Sequence, residues 1–161
     1  MKLFSLLTLL LSIVALNGCS TTYQASGFTG GYTETWLAED VVRVEFTGNG
    51  YTSASKATDL SMLRIAELAG KKGYNHFIFI SSENQVESST TAPTYTSTTT
   101  GNTTSMKQTG GGWRISKPST SNLAKLFKEK PFNVNGLVFS VDFVCNSITT
   151  KWQLKNVTCK N

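Results

Sequence analysis

The first nineteen residues constrain this chain most, because they decide which part of it folds at all. Lys2 is the only charge before an apolar run over residues 3–16, and that run stops at Asn17-Gly18-Cys19. A helix that stays in a bilayer needs about 20 apolar residues, so this one is too short to remain as an anchor. One amino-terminal charge, an apolar middle and small residues before a break are the layout of a cleaved export signal. Residues 1–18 are therefore expected to act as an address, and removing 18 of 161 residues leaves 143, the size of one ordinary domain.

Leu16-Asn17-Gly18-Cys19 resembles the lipobox of bacterial prolipoproteins, with Asn17 the one departure from the commonest pattern. The resemblance implies that the Cys19 thiol takes up diacylglycerol, that the chain is cut before it, and that the new amine is acylated with a fatty acid such as palmitate. One acyl chain binds a membrane only reversibly, whereas several on one residue hold it for good. The competing reading is an ordinary cleaved signal with a chance cysteine nearby. In lipoproteins whose sorting depends on the residue after the cysteine, serine rather than aspartate directs the chain to the outer membrane, and Ser20 fits that case. The expected location is the outer membrane, lipid-anchored, with the domain facing the periplasm or the cell surface.

With Cys19 lipidated, Cys145 and Cys159 are the remaining thiols, and both meet an oxidising compartment. A Cys145–Cys159 disulfide is expected. A catalytic thiol at Cys145 would strand Cys159 and would have to use His76, the single histidine. Charge is uneven: residues 20–87 carry eight acids and five bases, while from Ser88 onward nine bases face only Glu129 and Asp142. Lys117, Lys125, Lys128, Lys130, Lys151 and Lys155 form a candidate surface for an anionic partner, either an envelope protein or an anionic glycan or lipid. A solubilising surface explains the same lysines. Export makes nucleic acid an improbable partner.

Residues 19–31 are small, polar and glycine-rich, and suit a lipidated tether ahead of a domain spanning 32–161. Residues 41–47 alternate, with Val42, Val44 and Phe46 on one face and Arg43, Glu45 and Thr47 on the other, as a half-buried strand requires. Ser53 or Ser55 can cap a helix over 54–69 whose Leu60, Leu63, Ile65, Ala66 and Leu68 spread round more than half its circumference. Arg64 and Glu67 are spaced to pair along it. Residues 75–81, with Phe77, Ile78, Phe79 and Ile80, read as a strand covered on both faces, which completes a βαβ unit in an α+β domain.

Between Ser88 and Thr109, fourteen of twenty-two residues are Ser or Thr, so a long low-complexity loop over 88–112 is expected, an extended hairpin being the alternative. Residues 119–130 lean towards a strand-like piece. Residues 137–145 read as a strand by propensity, although Val141, Val144 and Ile148 would also line one side of a helix. Residues 152–157 are expected to be extended.

Gly30-Gly31-Tyr32, Leu37, Asp40, Arg43-Val44, Phe46, Gly48-Asn49-Gly50-Tyr51-Thr52, Leu63-Arg64, Ala66-Glu67, Gly73-Tyr74 and Phe77 together resemble a family of small uncharacterised proteobacterial lipoproteins, over roughly residues 27–80. The Lys117-Pro118 step fits the same pattern, whereas the Ser/Thr insert and the cysteine pair do not. The resemblance implies an exported lipoprotein domain and supplies no reaction or ligand.

The searched chemistry is sparse. Gly48-Asn49-Gly50 before a helix invites an anion-loop reading, but the rest of a dinucleotide or nucleotide loop is missing and a tight turn explains it. One histidine cannot build a paired-histidine zinc site, and no Gly-x-Ser-x-Gly elbow occurs. Glu34, Glu39, Asp40 and Glu45 border the first strand without forming a spaced catalytic pair. Tyr32, Trp36, Tyr51, Trp113 and Trp152 offer an aromatic face for glycans, or the edges of a core. No metal or cofactor is expected. The leading expectation is a non-enzymatic envelope interaction or structural module. The alternatives are a glycan- or peptide-acting enzyme built on Glu67, Arg64 and His76, and a redox or stress sensor using the Cys145–Cys159 bond.

Overall fold

The computed structural model describes residues 20–160, so the expected signal and the expected lipidation residue Cys19 lie outside the described residues. In chain order the elements are β1 (Gly31–Ala38), β2 (Val41–Thr47), α1 (Ala54–Lys71), β3 (His76–Thr90), β4 (Thr94–Thr100), β5 (Thr103–Gly110), β6 (Arg114–Phe127), β7 (Phe139–Ser140) and α2 (Val141–Lys151). Five strands form an antiparallel sheet in the order β1-β2-β6-β3-β7, and α1 lies across one face of it with α2 alongside. The domain is α+β.

The alternation in β2 sets the layers: Val42, Val44 and Phe46 are fully buried under α1, while Arg43, Glu45 and Thr47 face solvent. Leu60, Leu63, Ile65 and Ala66 of α1 meet them, together with Phe77 of β3 and Ala124 and Leu126 of β6. Each fully buried Val, Leu or Phe contributes about 1.5–3 kcal/mol. This layer therefore dominates stability. Helix α1 starts where the Ser53 side chain accepts from the Lys56 amide.

The βαβ unit is present in split form. Strands β2 and β3 run in the same direction, but β6 is inserted between them and pairs antiparallel with both. Residues 119–127 are thus a strand, and an interior one. Its inward residues are small enough to let α1 approach: Asn122 Nδ2 donates to Ser61 Oγ at 2.9 Å, and Ser61 Oγ donates to the Val44 carbonyl at 3.3 Å. Pro118 is tolerated because β2 ends opposite Ser119, so the missing N–H faces a side where the ladder has stopped; Gly48 N–H there donates to the Pro118 carbonyl.

Four expectations change. The Ser/Thr-rich stretch is not a loop: β3 and β6 stay paired out to Thr90 and Arg114, and β4 and β5 form a hairpin beyond them. Threonine's β-branched side chain favours this extended backbone even where nothing is buried, and every residue over 80–110 is exposed. Residues 141–151 form α2 rather than a strand, because Val141, Val144, Cys145 and Ile148 make one buried helical stripe against α1. Residues 152–157 are irregular, with Gln153 and Asn156 at positive φ.

The fourth change concerns the tether. Residues 20–31 dock on the domain: Thr21 is buried, its amide donates to Thr52 Oγ1 at 3.0 Å, and its hydroxyl donates to the Thr29 carbonyl at 2.8 Å. Gly30, at φ +96°, packs so tightly on β2 that a Cβ there would sit 2.2 Å from the Thr47 carbonyl oxygen. The glycines that suggested flexibility instead permit close contact.

The Cys145–Cys159 disulfide is formed, with Cα atoms 6.2 Å apart, and clamps the C-terminal segment to α2. That segment also lies on α1, where a Cβ on Gly70 would fall 1.3 Å from the Cys159 carbonyl oxygen. Helix propensity alone makes Gly70→Ala stabilising by about 0.5–1 kcal/mol; overpacking makes it destabilising by about 1–3 kcal/mol. We expect the urea midpoint to fall, and a rise would show that Cys159 does not pack there.

Candidate functional site

The densest polar cluster grows from one turn of α1. Arg64 Nη1 donates to Glu67 Oε2 at 2.6 Å, the pair anticipated from their spacing, and Arg64 Nε donates to Glu34 Oε2 of β1 at 2.6 Å. Lys71 Nζ donates to Glu67 Oε1 at 2.8 Å, and Tyr23 Oη of the docked N-terminal segment donates to Oε2 at 2.6 Å. Tyr32 places its ring 4.2 Å beneath the guanidinium and stacks at a tilt on Tyr23. A cleft of about 430 Å3 opens above, lined by Tyr23, Tyr32, Glu67, Leu154, Lys155 and Val157 among others.

Electrostatics keep this cluster charged and closed. Burial opposes ionisation of Glu67, but the hydrogen bonds from Lys71, Tyr23 and Arg64 outweigh it and hold the carboxyl below its ordinary range. Burial likewise opposes the Arg64 charge, and the bonds to Glu34 and Glu67 overcome it. Burial and then the Glu67 carboxylate push the Tyr23 phenol well above its usual value, so it stays a donor. Both Glu67 oxygens are engaged and the carboxyl is ionised at neutral pH. It is poorly suited to moving a proton.

His76 does not join this cluster. It heads β3 opposite Phe127 and Ser140, on the sheet face away from α1, and β3 lies three places from β1 in the sheet, about 14 Å at ordinary strand spacing. Its Nδ1 is buried and has no hydrogen-bond partner among the described residues. The polar centre drawn from Glu67, Arg64 and His76 is therefore corrected to Glu67, Arg64, Glu34, Tyr23 and Lys71. Glu34 had a partial signal: it alternates with Tyr32 and Trp36 on the face of β1 that Arg64 reaches. Tyr23 had none, because the segment carrying it read as a tether.

The six lysines do not share one patch. Lys125 and Lys151 are paired to Asp40 and Asp59 at 3.3 and 2.7 Å. Lys117 sits opposite Glu87 on the arm, eight positions along β6 from Lys125 and so about 27 Å away, while Lys128 and Lys130 follow the other end of that strand and Lys155 borders the cleft.

The aromatic face also divides. Tyr32 and Trp36 are part of the core edge beneath Arg64 and Lys72, and Trp152 donates its indole N–H to Asp59 at 2.8 Å. Tyr51 and Trp113 remain exposed and line one apolar groove of about 580 Å3 with Thr29, Asn49, Arg114 and Ile115. The Gly48-Asn49-Gly50 turn closes on itself, with the Tyr51 amide donating to Asn49 Oδ1 and the Thr52 amide to the Asn49 carbonyl. Among the described residues, no three His, Cys, Asp or Glu are grouped to hold a metal ion.

Removing Glu67 leaves Arg64 and Tyr23 with unmet donors in a site where Glu67 is only 9% exposed. Arg64 keeps Glu34, so Glu67→Ala is expected to cost about 1–3 kcal/mol, against about 0–1 kcal/mol for Lys71→Ala at the exposed rim. Because the folded-state carboxyl is depressed, its contribution is complete above about pH 4.3, the unfolded value, and is lost as pH falls through the lower folded value. Urea unfolding across pH 2–7 checks this: Glu67→Gln should flatten the acid limb, and an unchanged limb contradicts it. Comparison with protein-family models, with curated proteins and with solved structures finds no match to the chain.

Proposed function

We propose that the protein is a lipoprotein of the outer membrane, anchored through acyl chains on Cys19, whose α+β domain serves as a non-enzymatic interaction or structural module of the envelope. The observation that carries this reading is the sequence Leu16-Asn17-Gly18-Cys19-Ser20, followed within two residues by chain that belongs to the folded domain. An acylated cysteine at that place would hold the domain directly at the membrane.

The polar cluster supports a structural role, since Glu67 is ionised, holds donors on both oxygens, and ties the N-terminal segment to α1. The disulfide supports a staple rather than a sensor, since Cys145 and Cys159 are 7% and 5% exposed. An anionic partner would meet Lys117, Lys128, Lys130 or Lys155, because Lys125 and Lys151 already hold acids.

In cells fed labelled palmitate, the mature protein is expected to carry the label, begin at Cys19 and fractionate with the outer membrane. Cys19→Ala should lose the label and leave the membrane. An unlabelled wild-type protein, or a Cys19→Ala protein retained on the membrane to the same extent, overturns the proposal.

A further inference from the structure

The exposed apolar residues are not scattered evenly. Phe132, Leu137 and Phe143 are exposed towards the Lys128 end, and at the other end, near the start of α1, Tyr51, Trp113 and Ile115 line one groove, with Phe28 next to the groove residue Thr29 at the tip of the turn closed by Gly27 and Gly30. Tyr51 and Trp113 are 76% and 75% exposed and Phe28 is fully so, which is costly in water for a surface with no apolar cover.

The chain itself says what lies next to them. Thr21 donates to the Thr29 carbonyl and accepts from the Asn49 amide, both at 2.8 Å, and Thr29 and Asn49 line the groove between Tyr51 and Trp113. Ser20 is held by Lys56 Nζ at 2.7 Å. Cys19 is two residues before Thr21, about 7 Å of extended chain. There is no slack for the domain to stand away from acyl chains on that residue, so whatever bilayer receives them lies against this end of the molecule.

Charge and residue type fit the same surface. From Ser88 to Lys117 the chain carries Lys107, Arg114 and Lys117 and no acid, and Arg114 is part of the groove. Tryptophan and tyrosine favour the headgroup layer, where a ring is buried and its polar atom stays wet, and basic residues beside them are attracted to anionic lipid. The arm beyond is mostly Ser and Thr, with Tyr95 and Met106 its exposed apolar residues, and so polar a stretch stays out of the hydrocarbon.

We propose that Phe28, Tyr51, Trp113 and Ile115 form the membrane-contacting face of the domain, seated in the headgroup interface of an anionic phospholipid bilayer. This rests on the reading of Cys19 as the lipid anchor and adds to it an orientation: the groove end of the domain faces the bilayer and the end bearing Lys128 and Lys130 faces away.

The test uses the full-length mature protein purified from membranes, its acyl mass confirmed, and reconstituted into vesicles of three parts phosphatidylcholine to one part phosphatidylglycerol. Emission is compared between vesicles with ordinary and with brominated acyl chains, which quench only indole at membrane depth. The wild-type protein should lose a clear fraction of its emission in brominated vesicles. Trp113→Phe, an exposed substitution that leaves Trp36 and Trp152 in place, should lose none. A nitroxide on Phe28→Cys, read by its accessibility to oxygen against a water-soluble relaxant, gives an independent depth. If the acylated protein floats with the vesicles yet shows neither quenching nor depth, the orientation is wrong and the anchor stands, leaving the groove to a glycan or a protein. If the purified protein carries no acyl mass, the anchor reading fails and the orientation falls with it.

Discussion

Glu67 is the residue on which three otherwise separate parts of the chain converge. It takes Arg64 and Lys71 from its own helix, Arg64 reaches Glu34 on the edge strand β1, and Tyr23 brings in the N-terminal segment. The two carboxylates balance the two cations, and of the four only Arg64 and Glu67 are largely covered, with Glu34 and Lys71 at the rim. Taking such groups out of water is expensive and the net contribution to stability is modest. Its larger effect is on geometry: the Tyr23 bond to Glu67 gives the N-terminal segment a fixed place to lie, and the edge of the sheet acquires a partner that is not another strand.

That placement reverses the meaning of the small residues over 20–31. Glycines 27, 30 and 31 and threonines 21 and 29 look like the composition of a spacer. In the structure they allow a tight turn and a backbone approach that larger side chains would block, and Thr21 satisfies two amides' worth of polar contacts inside the fold. A chain built this way fixes Thr21 and Thr29 beside the groove that carries Tyr51 and Trp113.

What could be read from sequence was whatever is set locally by side-chain period. The alternation of β2, the helix over α1, the Arg64–Glu67 pair and the strand beginning near His76 all follow from residues within a few positions of one another. The insertion of β6 between β2 and β3 depends on pairings as distant in sequence as Val41 with Lys125 and leaves no local trace. Residues 141–148 carry both signals, β propensity and a helical stripe, and the facing side of α1 decided for helix. The Ser/Thr stretch carries two readings, a low-complexity loop and an extended hairpin, and threonine's preference for extended backbone without burial decides for the hairpin. The site was half legible: Glu34 alternates with Tyr32 and Trp36 on the face of β1 that Arg64 reaches, but Tyr23 is visible only once the chain is folded.

The central claim is that residues 20–31 belong to the folded domain. Backbone hydrogen exchange in the full-length protein tests it most directly, because the amide of Thr21 donates to Thr52 Oγ1, that of Ser26 to the Tyr32 carbonyl and that of Tyr32 to the Gln24 carbonyl. The account predicts that these three are protected together, well beyond the rates of a free peptide, and that they exchange faster when Glu67 is replaced by alanine while α1 stays protected. Exchange of all three at free-peptide rates in the wild-type protein, with α1 and β2 protected, would return the segment to a loose tether and contradict the account.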